Sequence, residues 1–216
     1  MIKAILYDMD GTVLDTMKIY QHCWDVADAA MGYGGRVASL IPKIAGMSSA
    51  DSGLYVKTVM GEDFPYTEFR RIVDRTLTET IERDGLDCKK GAPEIFDRIR
   101  ALGIQQILVT SSSPDRVFPY LEIAGLQNAF DQVITGDMVV HSKPDPEIFL
   151  LGARAANALP EECLVVEDAP NGIRAGVAAG MRTVMIPEYP PISEEIRAIL
   201  WKECADLSEI FDLVKE

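Results

Sequence analysis

Five short apolar runs, each stopped by a polar cluster, constrain this chain more than any other feature. Residues 2–7 run into Asp8, and 104–109 into Thr110-Ser111-Ser112-Ser113. Val133-Ile134 precedes Thr135-Gly136-Asp137, 164–166 precedes Glu167-Asp168, and 183–186 meets Pro187. These runs are rich in Ile, Val and Leu and do not alternate with polar residues, which marks strands buried on both faces. Helical patterns separate them: 92–102 with Ile95, Ile99 and Leu102 on one face, 115–124 before Gly125, 146–156 behind Pro146, and 172–179 before Gly180. Strand alternating with helix over short connections predicts an α/β fold, a Rossmann-like parallel-sheet core with helices on both faces.

Residues 15–90 break that rhythm. They are mostly helical in pattern, with helices predicted over 17–31 and 66–83. A parallel crossover usually needs one helix, so this stretch is expected to be an inserted all-helical subdomain. The predicted division is a core of 1–14 with 91–216 and a helical cap of 15–90. A length of 216 residues suits one domain carrying an insertion.

Composition narrows the functional classes. Lys plus Arg is 21 against 34 for Asp plus Glu, a formal charge of −13, with no basic run beyond pairs such as Arg70-Arg71 and Lys89-Lys90. That balance argues against nucleic acid and anionic lipid as partners. Cys23, Cys88, Cys163 and Cys204 are scattered without a C-x-x-C and read as ordinary thiols of a reducing compartment. No apolar stretch approaches the ~18 residues of a membrane span. The expected location is the cytoplasm.

In an open parallel sheet, ligands bind beyond the carboxyl ends of the strands. The polar residues that end the apolar runs are therefore the candidates. In Asp8-Met9-Asp10-Gly11-Thr12, two carboxylates one residue apart leave a strand on the same side, and Gly11 permits a sharp turn. One carboxylate can attack while the other moves protons. Glu167-Asp168 adds a second acid pair, and such a cluster calls for a hard cation, with oxygen ligands favouring Mg²⁺. Lys143, between two prolines and ahead of a helix, can neutralise a phosphoryl oxygen. Thr110, Ser111 and Ser112 offer hydroxyls and N–H groups before a helix, as an anion site does; one of the serines can equally cap that helix. Together these groups make a phosphoryl-transfer set.

These residues resemble the haloacid dehalogenase superfamily over nearly the whole chain. Its four motifs appear in order as Asp8-Met9-Asp10-Gly11-Thr12, 107–110, Lys143-Pro144 and Val165-Val166-Glu167-Asp168. The stretches 143–149 and 167–173 resemble its β-phosphoglucomutase-like branch. The resemblance implies a Mg²⁺-dependent phosphatase acting on a small phosphorylated metabolite, a sugar phosphate foremost. Asp8 would form an aspartyl-phosphate. Asp10 would be the acid and base, its carbonyl also binding Mg²⁺. Asp168 would bind the metal, with Glu167 direct or through water, and Thr110 and Lys143 would hold the phosphoryl group. The acid at Asp10 favours phosphoester over carbon–halogen chemistry.

Two departures bear on the alternative of a phosphosugar mutase. The mutase has an arginine after a cap Gly-x-Ser, where this chain has Ser49 after Gly46-Met47-Ser48. It has a histidine where this chain has Tyr20. Lys43 and Lys57 are the cap cations that could take the arginine's place, and Lys43, Gly46, Ser48 and Ser49 are the expected cap contacts. A non-catalytic phosphate-binding protein and a receiver-type phospho-acceptor are the readings from other classes. The latter has no place for a helical insertion after the first strand. His22 and Trp24 are expected to pack, Trp201 to anchor a core or interface, His141 to line the Lys143 loop or stand exposed, and Met9 to face away from the two acids.

Overall fold

The structure is a computed structural model and describes residues 1–188 and 192–215. Six strands form one sheet: β1 (Ala4–Tyr7), β2 (Gln105–Val109), β3 (Gln132–Ile134), β4 (Cys163–Glu167), β5 (Arg182–Met185) and β6 (Lys202–Glu203). Their order is β3-β2-β1-β4-β5-β6, and every pairing is parallel. The five predicted strands are all present. The edge strand β6 was not predicted, because two exposed residues, Lys202 and Glu203, carry no apolar signal.

Strand side chains divide between two cores. Ile5 and Tyr7 of β1 face one layer with Leu108, Leu164 and Val166, packed on Ile95, Phe96 and Ile99 of helix α5 (Glu94–Arg100). Ala4 and Leu6 face the other with Ile107, Val109 and Val165, packed on Ile148, Phe149 and Ala153 of helix α7 (Glu147–Ala155). This two-sided burial is why the runs lack polar alternation. Each such fully buried aliphatic or aromatic side chain contributes roughly 2 kcal/mol of transfer free energy. Phe96 and Phe149, both essentially inaccessible, sit on opposite faces.

Between β1 and β2 lie α1 (Met17–Ala30), α2 (Ile41–Ile44), α3 (Ser49–Met60) and α4 (Tyr66–Asp84). Here α1 and α4 pack through Trp24 against Phe69, ring centroids 5.0 Å apart and edge-on. Trp24 is buried as expected, whereas His22, expected to pack, is exposed on the other face of α1. The remaining helices are α6 (Pro114–Ile123), α8 (Pro170–Ala178), α9 (Glu194–Ile199) and α10 (Ile210–Val214). The expectation that a serine side chain caps α6 fails: Ser113 stands at its N-cap and accepts helix N–H groups only through its backbone carbonyl. Trp201 is half exposed and stacks under the Arg182 guanidinium instead of anchoring a core.

The chain order reverses at β1, which has β2 on one side and β4 on the other. That is the topological switch point where open α/β sheets place their ligands. The carboxyl ends of β1, β2 and β4 carry Asp8, Thr110 and Asp168.

Candidate active site

Strand β1 stops at Tyr7, and the Asp8 N–H makes one further ladder-like bond to the Val166 carbonyl at 2.9 Å. Asp10 then lies in a turn, closed by Gly11 N–H donating to the Leu14 carbonyl. The two carboxylates reach one cavity as expected, but the turn brings them there, not strand alternation. Gly11 has φ +87°, and a Cβ on it would stand 2.4 Å from Asp168 Oδ2. Only a residue without a side chain lets the β1 turn come this close to the β4 end.

Lys143 reaches the carboxylates from below. Its side chain is wholly buried, and Nζ donates to Asp8 Oδ1 at 2.5 Å, Glu167 Oε1 at 2.7 Å and the Val109 carbonyl at 3.4 Å. Three ammonium donors thus meet three acceptors. Glu167 Oε2 accepts from the N–H groups of Asp168 and Ala169, each at 3.0 Å. Both oxygens of Glu167 are therefore engaged, tying Lys143 to the β4 loop. Thr12 Oγ1 donates to Asp168 Oδ1 at 3.3 Å, and Ser112 Oγ donates to Asp10 Oδ2 at 2.8 Å. Asp10 Oδ1 is buried without a partner among the described residues.

Charge in this group is unbalanced. Asp8, Asp10, Glu167 and Asp168 face a single ammonium among the hydrogen-bonded partners described. Burial first, then the charges of Glu167 and Asp10, push the Asp8 carboxyl up to about 8 against the pull of Lys143. Burial and then Glu167 and Asp8 hold Asp168 well above the carboxylate range. Asp8 and Glu167 keep Lys143 firmly protonated despite the burial that opposes its charge. Carboxylate oxygens of Asp8, Glu167 and Asp168 can lie within 4.8 Å of one another. A compact all-oxygen set whose acids resist ionising without added positive charge fits a hard divalent cation.

The cavity above holds about 230 Å³ and is walled by Asp8, Asp10, Thr110, Ser111, Ser112 and Asp168 on the sheet side. Thr110 Oγ1 accepts from the Ser112 N–H at 3.1 Å, and Ser111 Oγ donates to the Gly46 carbonyl at 3.0 Å. Asn171 Nδ2 donates to the Ala45 carbonyl at 3.1 Å. The loop before α3 thus sits directly on the sheet-end loops. Gly46 and Ser49 line the cavity. Lys43 does not: it is exposed on α2. Ser48 does not either, because its hydroxyl caps α3 by accepting from the Asp51 N–H and donating to Asp51 Oδ2. Lys57 is likewise absent from the cavity wall, and His141 is exposed.

Among the cavity residues that the sequence reading did not assign to binding are Tyr20, Arg70 and Arg116. Arg70 adjoins Phe69 on the buried side of α4, and Arg116 sits in the first turn of α6, directly after the Thr110–Ser113 cluster. Position in the first turn beyond a strand end was the available signal for Arg116. Arg70 read only as half of a basic pair.

The sequence pattern of the haloacid dehalogenase-like hydrolases matches residues 2–180. The chain belongs to that family. It is an enzyme, a haloacid dehalogenase-type phosphoric monoester hydrolase. Hexitol phosphatase A of Escherichia coli (strain K12) is 30% identical over 200 residues, covering 92% of this chain and 90% of that one. Phosphorylated carbohydrates phosphatase of Thermotoga maritima is 28% identical over 193 residues, 85% of this chain and 84% of its own. The fold is shared with β-phosphoglucomutase from Clostridium difficile, with a TM-score of 0.80 at 20% identity over 100% of this chain and 96% of that one.

Proposed function

We propose that this hydrolase cleaves a small phosphorylated metabolite, a sugar phosphate foremost, through an aspartyl-phosphate on Asp8. The observation that carries the reading is the convergence of Asp8 and Asp10, beyond β1, and Asp168, beyond β4, on one small cavity, with the buried Lys143 bonded to Asp8 behind it. The names of the relatives, which act on hexitol phosphates and phosphorylated carbohydrates, support the sugar ester.

In this reading an Asp8 carboxylate oxygen attacks phosphorus while the P–O bond to the metabolite breaks. Asp10 gives its proton to the departing oxygen. The resulting Asp10 carboxylate takes a proton from water, which attacks the same phosphorus and releases inorganic phosphate and free Asp8. Ser112 holds Asp10 Oδ2, leaving Oδ1 free for the proton. Lys143 orients Asp8 and offsets charge around the transferred group, with Thr110, Ser111 and Ser112 as the phosphoryl cradle. Asp8, Asp168 and the Asp10 carbonyl would hold Mg²⁺, with Glu167 engaged one shell out. The bound ion would keep Asp8 ionised and offset phosphoryl charge. Residues 15–90 act as the cap that closes over the substrate, with Gly46 and Ser49 at its rim; core and cap divide at 14/15 and 90/91. Four free cysteines support a cytoplasmic setting, and no helix among the described residues is long and apolar enough to cross a membrane.

Release of inorganic phosphate from a panel of sugar phosphates, with Mg²⁺ and with chelator, tests this. Turnover should need Mg²⁺ and vanish in Asp8→Asn while circular dichroism stays native. Turnover retained by that variant would remove Asp8 from its role. The mutase reading finds less support, since the cap position after Gly46-Met47-Ser48 is a serine and Lys43 points away. Interconversion of glucose 1- and 6-phosphates without phosphate release would reinstate it.

A further inference from the structure

We propose that the substrate carries a second anionic group, a carboxylate or a second phosphate, which Arg70, Arg116 and Tyr20 bind at the helical wall of the cavity. The proposal rests on the hydrolase reading above and names the class of ester it takes.

Arg70 comes from α4 and Arg116 from α6, and both line the same cavity as Asp8 and Asp10. Their side chains are 15% and 26% exposed. Both guanidinium groups turn to one acceptor: Arg70 Nη2 donates to Asp74 Oδ1, and Arg116 Nη2 donates to the same oxygen at 3.3 Å. Asp74 is itself half exposed. One half-exposed carboxylate therefore serves two largely enclosed cations, and the buried Arg70 Nε–H has no partner among the described residues. Arg116 Nη1 donates to Tyr20 Oη at 2.6 Å, so the phenol acts as acceptor there. Its own proton finds no acceptor among the described residues. Burial first, with Asp10 adding to it, keeps that phenol protonated.

Two forked cations and a hydroxyl donor therefore share one wall with donor capacity left over. Guanidinium forks match carboxylate and phosphate oxygens in geometry as well as charge. On a chain of net charge −13, an anion is repelled almost everywhere else. Asp74, the one acid hydrogen-bonded to the pair among the described residues, is half exposed, and Asp10 adds only its field at Arg116. The phosphoryl group itself is accounted for by the sheet-end loops, so the arginines are available to the rest of the molecule. A cavity of about 230 Å³ suits a compact ester with its two anions a few carbons apart.

The experiment compares kcat/KM within matched pairs at fixed Mg²⁺ and ionic strength. One pair is 2-phosphoglycolate against 2-hydroxyethyl phosphate; the other is fructose 1,6-bisphosphate against fructose 1-phosphate. The member carrying the second anionic group should be preferred in at least one pair by about tenfold or more, the weight of a charge-assisted hydrogen bond. Which pair responds separates carboxylate from second phosphate. In Arg70→Gln and Arg116→Gln the preference should shrink several-fold, mostly through KM, with Arg70→Lys retaining part of it. Because each ratio is taken within one protein, partial loss of folded enzyme cancels. Equal kcat/KM within both pairs for the wild-type chain would overturn the proposal, and so would undiminished preference in folded variants. The wild-type ratio decides even where a variant does not fold. Failure of the wild-type chain to release phosphate from any of these esters or from p-nitrophenyl phosphate would overturn the hydrolase reading as well. Turnover of p-nitrophenyl phosphate with no preference in either pair overturns this proposal alone.

Discussion

Glu167 and Lys143 form a fully buried ion pair, 2.7 Å between Oε1 and Nζ, and Lys143 passes the connection on to Asp8. Removing the ammonium leaves two buried carboxylates uncompensated, which typically costs about 3–5 kcal/mol. Lys143→Met is therefore expected to unfold at lower denaturant at pH 7.5 in chelator, and to lose most of its turnover. The stability deficit should widen at pH 9, where Asp8 ionises beside Lys143 in the wild-type protein and has no cation beside it in the variant. A deficit equal at both pH values would show that packing, not charge, is what Lys143 contributes.

Asp8 predicts how stability follows pH without metal. Its carboxyl stands near 3.8 in the unfolded chain and about 8 in the folded one. Below about 4 both states hold the proton. Between 4 and 8 the folded state keeps a proton that the unfolded state has released, so stability falls as pH rises through that window. Asp168, also raised, acts in the same direction. Thermal unfolding in chelator should show Tm falling from pH 5 to 8, less steeply in Asp8→Asn. Mg²⁺ should raise Tm most at the alkaline end, where the carboxylates it binds are free. A Tm gain from Mg²⁺ that is the same at pH 5 and 8 would contradict this.

Gly172 offers a steric test of the same pair. A Cβ there would lie 1.7 Å from Glu167 Oε1, so the first turn of α8 presses on the acid that holds Lys143. Gly172→Ala should cost about 3 kcal/mol in urea unfolding, the upper range for overpacking, and displace Glu167. Turnover should fall with it, although residue 172 reaches neither substrate nor metal. Normal activity and stability in this variant would mean that the β4–α8 loop yields freely.

Asp10→Asn separates proton transfer from phosphoryl binding. The amide keeps the Ser112 contact but cannot deliver a proton. Rates on alkyl esters should drop by roughly 10²–10⁴, the usual weight of general acid–base catalysis. The drop should be clearly smaller for p-nitrophenyl phosphate, whose leaving group departs without a proton. Equal losses on both esters would take the acid role away from Asp10.

The sequence by itself determined the parallel sheet, since runs buried on both faces cannot alternate, and the strand ends followed from where those runs stop. It also singled out the acids and Lys143 as the candidate site, because each stands at the end of a strand or in the connection leaving one. Tertiary structure decided which cations and hydroxyls share the cavity. Arg70 and Arg116 are 46 positions apart; Arg70 meets Asp74 one turn along α4, but only the tertiary structure brings Arg116 of α6 to the same carboxylate. Likewise Lys43 and Ser48 looked suited to bind by type, but the turn into α3 sends one to solvent and spends the other on a helix cap. Strand identity is a short-range property of burial period, whereas the direction of a helix side chain depends on what the whole helix packs against.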